Sequence, residues 1–90
     1  MKESKVKMAI KKTVTLNKIG DINKFSNLAV FKCPCEIDIV SGRYIIDAKS
    51  VMGIFSLDLS KPVEIVIHNE SADDAKVDEF LKEIDEFIVK

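Results

Sequence analysis

Two short segments in which apolar and polar residues alternate, Glu36-Ile37-Asp38-Ile39-Val40 and Arg43-Tyr44-Ile45-Ile46-Asp47, flank Ser41-Gly42. Alternation on both sides of a two-residue break containing glycine is a β-hairpin signal, so the middle of the chain is committed to antiparallel pairing. The other segments fall around this hairpin in a readable order. Val14 and Leu16 alternate with Thr13, Thr15 and Asn17, which predicts a half-buried strand. Gly20-Asp21 breaks that strand and offers Asp21 as the N-cap of a helix whose apolar face is Ile22, Phe25, Leu28 and Ala29. Pro34 stops that helix. Downstream, Ser50 opens a short helical stretch over residues 51–57, Lys61-Pro62 ends the connection, and residues 63–67 alternate as a fourth strand. Residues 72–89 form the clearest helix. Ala75, Val77 with Asp78, Leu81, Ile84 and Ile88 mark one face, Phe80 and Phe87 lie beside it, and Asp73 and Asp74 occupy the end where the helix dipole favours acids. The order β-α-β-β-α-β-α predicts an α+β open-faced sandwich with helices covering one face of the sheet.

A chain of 90 residues has room for one core, so residues 13–90 are read as a single domain. Residues 1–12 carry Lys2, Lys5, Lys7, Lys11 and Lys12, with a weak alternation of Val6, Met8 and Ile10. They read as an N-terminal extension, either a ragged continuation of the first strand or a flexible arm, and Met8 is an alternative start. Apolar residues at 47% and charged residues at 32% are globular rather than disordered values. The apolar runs are far shorter than the ~20 residues that span a bilayer, and the first dozen residues contain no apolar core of a secretory signal. With 14 basic against 15 acidic side chains, no net field attracts nucleic-acid phosphates. A cytoplasmic domain binding neither membrane nor nucleic acid is the expectation.

The chemistry available is sparse. There is one histidine, one tyrosine and no tryptophan, and neither a Gly-rich phosphate loop nor an HExxH motif is present. A binding, carrier or regulatory module is therefore expected rather than an enzyme, with no cofactor. Cys33-Pro34-Cys35 cannot found a secreted disulfide framework, and it lacks the further Cys or His ligands that a closed zinc site needs within one chain. One of the two cysteines is expected to plug the core as a small apolar residue, and no metal site is expected. His68 follows strand residue Ile67 and reads as an exposed strand-end histidine. The acids Asp78, Glu79, Glu83, Asp85 and Glu86 read as the solvated face of the last helix.

The segment Lys49-Ser50-Val51-Met52-Gly53-Ile54-Phe55-Ser56-Leu57 resembles, almost position for position, the K-S-I-M-G-V-M-S-L stretch of Gram-positive HPr proteins. These are the histidine-containing phosphocarriers of the bacterial sugar phosphotransferase system. The resemblance runs without a gap from Glu36 to the strand at residues 63–67 and loosely through the last helix, and the order of elements is similar to that of the family. It implies an HPr-like open-faced β-sandwich with a four-stranded antiparallel sheet. It implies also that Ser50 is a regulatory site for a serine kinase, and that Val51, Met52 and Phe55 form an exposed apolar patch. In the family this patch docks enzyme I, permease domains and the catabolite control protein. An exposed Met/Phe patch is a protein-binding signature in its own right.

The N-terminal third departs from that pattern. HPr proteins carry phosphate on the histidine of a G-[IL]-H-[AT]-R-P motif between the first strand and first helix, whereas this connection reads Asn17-Lys18-Ile19-Gly20-Asp21-Ile22-Asn23. Counted back from Ser50 without a gap, the histidine position falls on Ile19 and the arginine position on Asp21. Aligning the strands instead, with Val14 and Leu16 on the family's apolar pair, leaves the loop several residues short. A phosphohistidine needs an imidazole nucleophile, and the arriving phosphoryl group needs donors and positive charge. Ile19 offers no nucleophile and Asp21 repels an anion. The expected function is thus a non-catalytic regulatory or protein-binding relative of HPr acting through the short second helix. A phosphocarrier with a non-standard acceptor and a small structural or dimerising domain are the alternatives.

Overall fold

Ile37 and Ile39 alternate with Asp38 and Val40, and in the folded chain this alternation puts both isoleucines on the buried face of strand β2 (Glu36–Ser41). The computed structural model describes residues 9–33, 35–70 and 72–89. β2 pairs on one side with β4 (Val63–His68), setting Ile37 opposite Ile67 and Ile39 opposite Ile65. On its other side it pairs with β3 (Tyr44–Asp47), setting Ile39 opposite Ile46. β1 (Ile10–Val14) completes the sheet against β4, with Ile10 opposite Ile67 and Val14 opposite Val63. All pairings are antiparallel, and the strand order is β1-β4-β2-β3. The architecture is α+β, a four-stranded antiparallel sheet with three α-helices, as the order of segments predicts.

The registers give the sheet two unlike faces. Ile37, Ile39, Val63, Ile65, Ile67 and Val14 share the face that meets the helices, and all are buried. Lys11, Thr13, Glu64, Val66, His68, Asp38, Val40, Ile45 and Asp47 share the other, where no residue is fully buried. Onto the first face α1 (Ile19–Phe31) delivers Ile22, Phe25 and Ala29, and α3 (Asp74–Glu83) delivers Phe80. A 3-10 turn (Asp85–Phe87) adds Phe87. Phe25 is the centre of the aromatic core, 6.3 Å from the Phe80 ring and 6.2 Å from the Phe87 ring, the latter edge-on at 84°. Such pairs add about 0.5–1.5 kcal/mol to what their area burial contributes.

Several boundaries differ from the sequence expectation, each for a local reason. β1 ends at Val14 rather than running on to Asn17, and it begins at Ile10, so residues 10–12 continue the strand, one of the two readings of that segment, and pair with residues 65–67. Met1 to Met8 lie outside the described residues. Asp21 is not the N-cap of α1. Lys18 is, in extended conformation, its carbonyl accepting the Ile22 N–H at 3.0 Å without a side-chain cap bond. Asp21 falls instead in the first turn, where its charge faces the positive end of the dipole. The expected helix stop, Pro34, is outside the described residues. The hairpin turn is Gly42-Arg43 rather than Ser41-Gly42, because Ser41 pairs with Tyr44. Gly42 has φ +60° and is the only positive-φ residue among the described residues, the pattern of a type II′ turn, whose first central position favours glycine.

The last helix does not run to Val89. It ends at Ile84 (φ −96°, ψ 5°), its buried face is Val77, Phe80 and Ile84 with Phe87 beyond, and Ala75 is exposed while Leu81 and Ile88 are half-buried. The 3-10 turn over Asp85–Phe87 follows, and the chain is extended from Ile88. Thr15 N–H donates to the Phe87 carbonyl and Val89 N–H donates to the Thr13 carbonyl, both at 2.8 Å. These bonds close part of the outer edge of β1, whose unpaired backbone groups otherwise lack partners in the sheet.

The short helix α2 (Val51–Phe55) packs against β3 at Gly53. A Cβ built there stands 2.7 Å from Ile46 Cγ2 and 3.0 Å from Ser50 Oγ. Gly53→Ala should therefore cost about 1–3 kcal/mol in a urea titration. The cost should shrink in an Ile46→Ala background, which removes the opposing methyl; an equal cost in both backgrounds would place the strain elsewhere.

Candidate functional site

Helix α2 is built by its flanks as much as by its own residues. Ser50 N–H donates to the Asp47 carbonyl at 2.9 Å, and Lys49 N–H donates to Asp47 Oδ1 at 2.9 Å, so the connection from β3 is held at both amides. Ser50 then turns extended (φ −95°, ψ 90°) and caps the helix, its Oγ accepting the Gly53 N–H at 3.3 Å. At the other end the Ser56 hydroxyl donates to the Gly53 carbonyl at 2.6 Å. Ile54 is fully buried and anchors the helix.

That anchoring decides which side chains face out. Met52 is 80% exposed and Phe55 42% exposed, whereas Val51 is half-buried against the core. Of the three residues expected in the patch, two are presented to solvent and Val51 lies at its inner margin. Ser50 is exposed, its hydroxyl at the surface while it caps. Lys49 is beside it, with Nζ 3.6 Å from Glu36 Oε2. Sequence reasoning did not single out Tyr44 and Ile45 of β3, or Phe31 at the end of α1, all of which are strongly exposed. For Ile45 the signal was present in the alternation, which sets it on the face opposite Ile46.

The start of α1 has the makeup of a surface without a nucleophile. Ile19 is the first helical residue and is 68% exposed, and Asp21 is half-buried in the same turn. His68 is elsewhere. It ends β4, five residues along from Val63, the residue paired with Val14, which is about 17 Å at strand spacing. It lies on the open face, half-buried rather than fully exposed, with Nε2 2.9 Å from Asp38 Oδ2. The structure does not bring His68 to the α1 N-terminus.

Cys33 and Cys35 stand at the junction of α1 and β2 with free thiols, their sulfurs 3.3 Å apart. Cys33 belongs to the core, as expected of one of the pair, and Cys35 is partly exposed. Burial, followed by the hydrogen bond with Cys33, pushes the Cys35 thiol up to about 12, with Lys49 opposing and Glu36 adding to the shift. A shallow cleft of about 300 Å³ opens beside Cys33, lined by Phe31, Lys32, Lys76 and Glu79. A larger one of about 450 Å³ lies between β1 and the C-terminal segment, lined by Lys12, Asp78, Leu81, Lys82, Asp85 and Ile88. Neither is at α2. Among the described residues no cluster of three or more His, Cys, Asp or Glu side chains is placed to hold a metal ion, and no helix is long and apolar enough to cross a membrane. Comparison with known proteins finds no matching family model, no matching curated protein and no matching solved structure.

Two measurements follow from this geometry. Ser50→Ala should lower stability by about 0.5–1 kcal/mol in denaturant titration, the low end for a cap because the bond is long, while Ser50→Asp should retain most of it. The raised Cys35 thiol keeps its proton in the folded state where the unfolded chain, with an ordinary thiol near 9.0, has lost it. Its stabilising effect is thus complete below pH 9 and is lost as pH rises towards 12. The stability of wild type should fall relative to that of Cys35→Ser over that window; parallel curves would refute the shift.

Proposed function

We propose that this protein is a non-catalytic relative of HPr that docks a protein partner through Met52 and Phe55, with Val51 at the margin, and that Ser50 is its regulatory phosphorylation site. The observation that carries the reading is the presentation of α2: Ile54 anchors the helix while Met52 stands 80% exposed beside it. A five-residue helix capped at both ends holds an apolar pair in fixed geometry, which lowers the ordering cost of binding. An HPr-like open-faced sandwich in the cytoplasm is the fold and setting that belong with this reading. It is supported by the element order and by the Lys49-to-Leu57 stretch.

Binding without phosphoryl transfer is the chemical content of the proposal. Ile19 and Asp21 occupy the turn where the family's histidine and arginine would act, and neither accepts a phosphoryl group nor stabilises one. His68, 2.9 Å from Asp38 on the open face, is positioned for neither role. At Ser50, phosphorylation by a serine kinase would add about −1.5 to −2 charges beside Lys49, changing the charge of the docking surface without removing an oxygen acceptor from the cap.

The test uses purified partners of HPr. Incubation with phosphoenolpyruvate, enzyme I and HPr should leave this chain free of acid-labile phosphate. Titration against enzyme I, a sugar-permease domain and the catabolite control protein should show binding to at least one. Phe55→Asp should weaken that binding at least tenfold, about 1.4 kcal/mol, with the fold intact by circular dichroism. Acid-labile phosphate on the chain would make it a carrier, and binding to none of the three would overturn the proposal. Sedimentation showing a dimer that Met52→Asp dissociates would replace it with self-association.

A further inference from the structure

The Cys33–Cys35 pair is not used by the docking surface. The two sulfurs already touch at 3.3 Å, joined by a thiol hydrogen bond, and a disulfide requires them to close by roughly 1.3 Å. The pair is also asymmetric: Cys33 is in the core cluster and Cys35 is partly exposed. Cys33 N–H is tied to the Leu28 carbonyl at the end of α1, while Cys35 immediately precedes β2, so the two thiols face each other from two held elements. One exposed thiol with a shielded second thiol in contact is the arrangement in which an external disulfide is attacked at the first and expelled by the second.

We infer that Cys33 and Cys35 form a reversible thiol–disulfide modification site whose co-reactant is a low-molecular-weight disulfide. Cys35 Sγ, as thiolate, attacks one sulfur of the reagent; the reagent's S–S bond breaks, and its leaving thiolate takes up the proton that Cys35 gave up. Cys33 Sγ then attacks the Cys35 sulfur, forming the internal disulfide and breaking the mixed one. The second reagent thiol leaves with the proton from Cys33. Two electrons pass from the cysteine pair to the reagent, and two thiols are released. A ring closed over one intervening residue is a strained disulfide of the labile kind, readily reversed by excess thiol. Because burial holds Cys35 as the protonated thiol, the first step is slow at neutral pH, and mildly alkaline buffer speeds it.

Reduced full-length protein equilibrated with glutathione disulfide and then quenched with iodoacetamide tests this. The wild type should lose both alkylation sites together, with a mass lower by two hydrogens and no retained glutathionyl group, and excess reduced glutathione should restore both sites. Cys33→Ala and Cys33→Ser should each stop at a stable glutathionyl adduct on Cys35. Cys35→Ser should react more slowly than either, because Cys33 is shielded. A wild type that stays reduced, that retains a glutathionyl adduct, or that forms disulfide-linked dimers on a non-reducing gel would overturn the inference. So would Cys33 variants that resist glutathionylation while circular dichroism shows them folded.

Discussion

The antiparallel pairing of β2 with β4 is the contact on which the other elements depend. With Ile37 opposite Ile67 and Ile39 opposite Ile65, the two central strands commit four isoleucines to one face, all essentially inaccessible to solvent. A slip of one residue would exchange Ile65 and Ile67 for Glu64, Val66 and His68, burying a carboxylate and an imidazole in place of branched hydrocarbon. Fully burying an isoleucine is worth about 1.5–3 kcal/mol, so the register is set by side chains more than by the ladder bonds, which any register could make. β1 and β3 then inherit their faces from this pair. Val14 is buried because it lies opposite Val63, and Ile46 faces the helices because it lies opposite Ile39.

Elements whose instructions are local were legible in the sequence. The hairpin, the alternation of β4 and the capping role of Ser50 depend on residues within a few positions of one another. Features set by distant partners were not legible. How far β1 reaches is left open by the sequence, where residues 1–12 read either as a strand continuation or as an arm, and the length of β4 decides it by pairing Ile67 with Ile10. The last helix yields to a 3-10 turn and then to extended backbone from Ile88, where Thr13 and Thr15 offer backbone partners at the outer edge of β1. The helical periodicity of residues 72–89 carries no sign of that edge. Phe87 therefore reaches the core from a 3-10 turn rather than from a continuing helix. Val51 shows the same limit at the candidate site, since whether it joins the core or the patch depends on how deeply Ile54 seats.

The functional reading turns on a separation of chemistry from shape. In a phosphocarrier, a nucleophile and the cations that receive its phosphoryl group must meet within hydrogen-bond distance. Here the imidazole is held by Asp38 on the open face, and the α1 N-terminus presents an exposed isoleucine and a carboxylate. The cations near that turn, Lys18 and Lys24, have no acceptor to serve, and Lys24 is paired with Glu86 across to the C-terminal turn. The exposed apolar pair is instead presented at α2, which needs only packing, caps and a glycine where the helix approaches β3.

The two sheet edges are managed differently, and the difference bears on where a partner can approach. Part of the outer edge of β1 is occupied by the Ile88 bridge and the flanking bonds to Phe87 and Val89. β3 is the opposite edge. It has four residues, begins at a glycine turn and ends at Asp47, whose side chain is already engaged by the Lys49 amide. A strand this short offers few backbone groups for β-addition, so its exposed Tyr44 and Ile45 are better suited to side-chain contact than to strand pairing. The helix joined to that edge carries exposed Met52 and Phe55, which offer area and polarizability rather than backbone bonds. Under the proposed function, recognition at this end of the molecule would be governed by apolar side chains, and a phosphoryl group on Ser50 would act on it through charge and desolvation rather than by breaking a ladder.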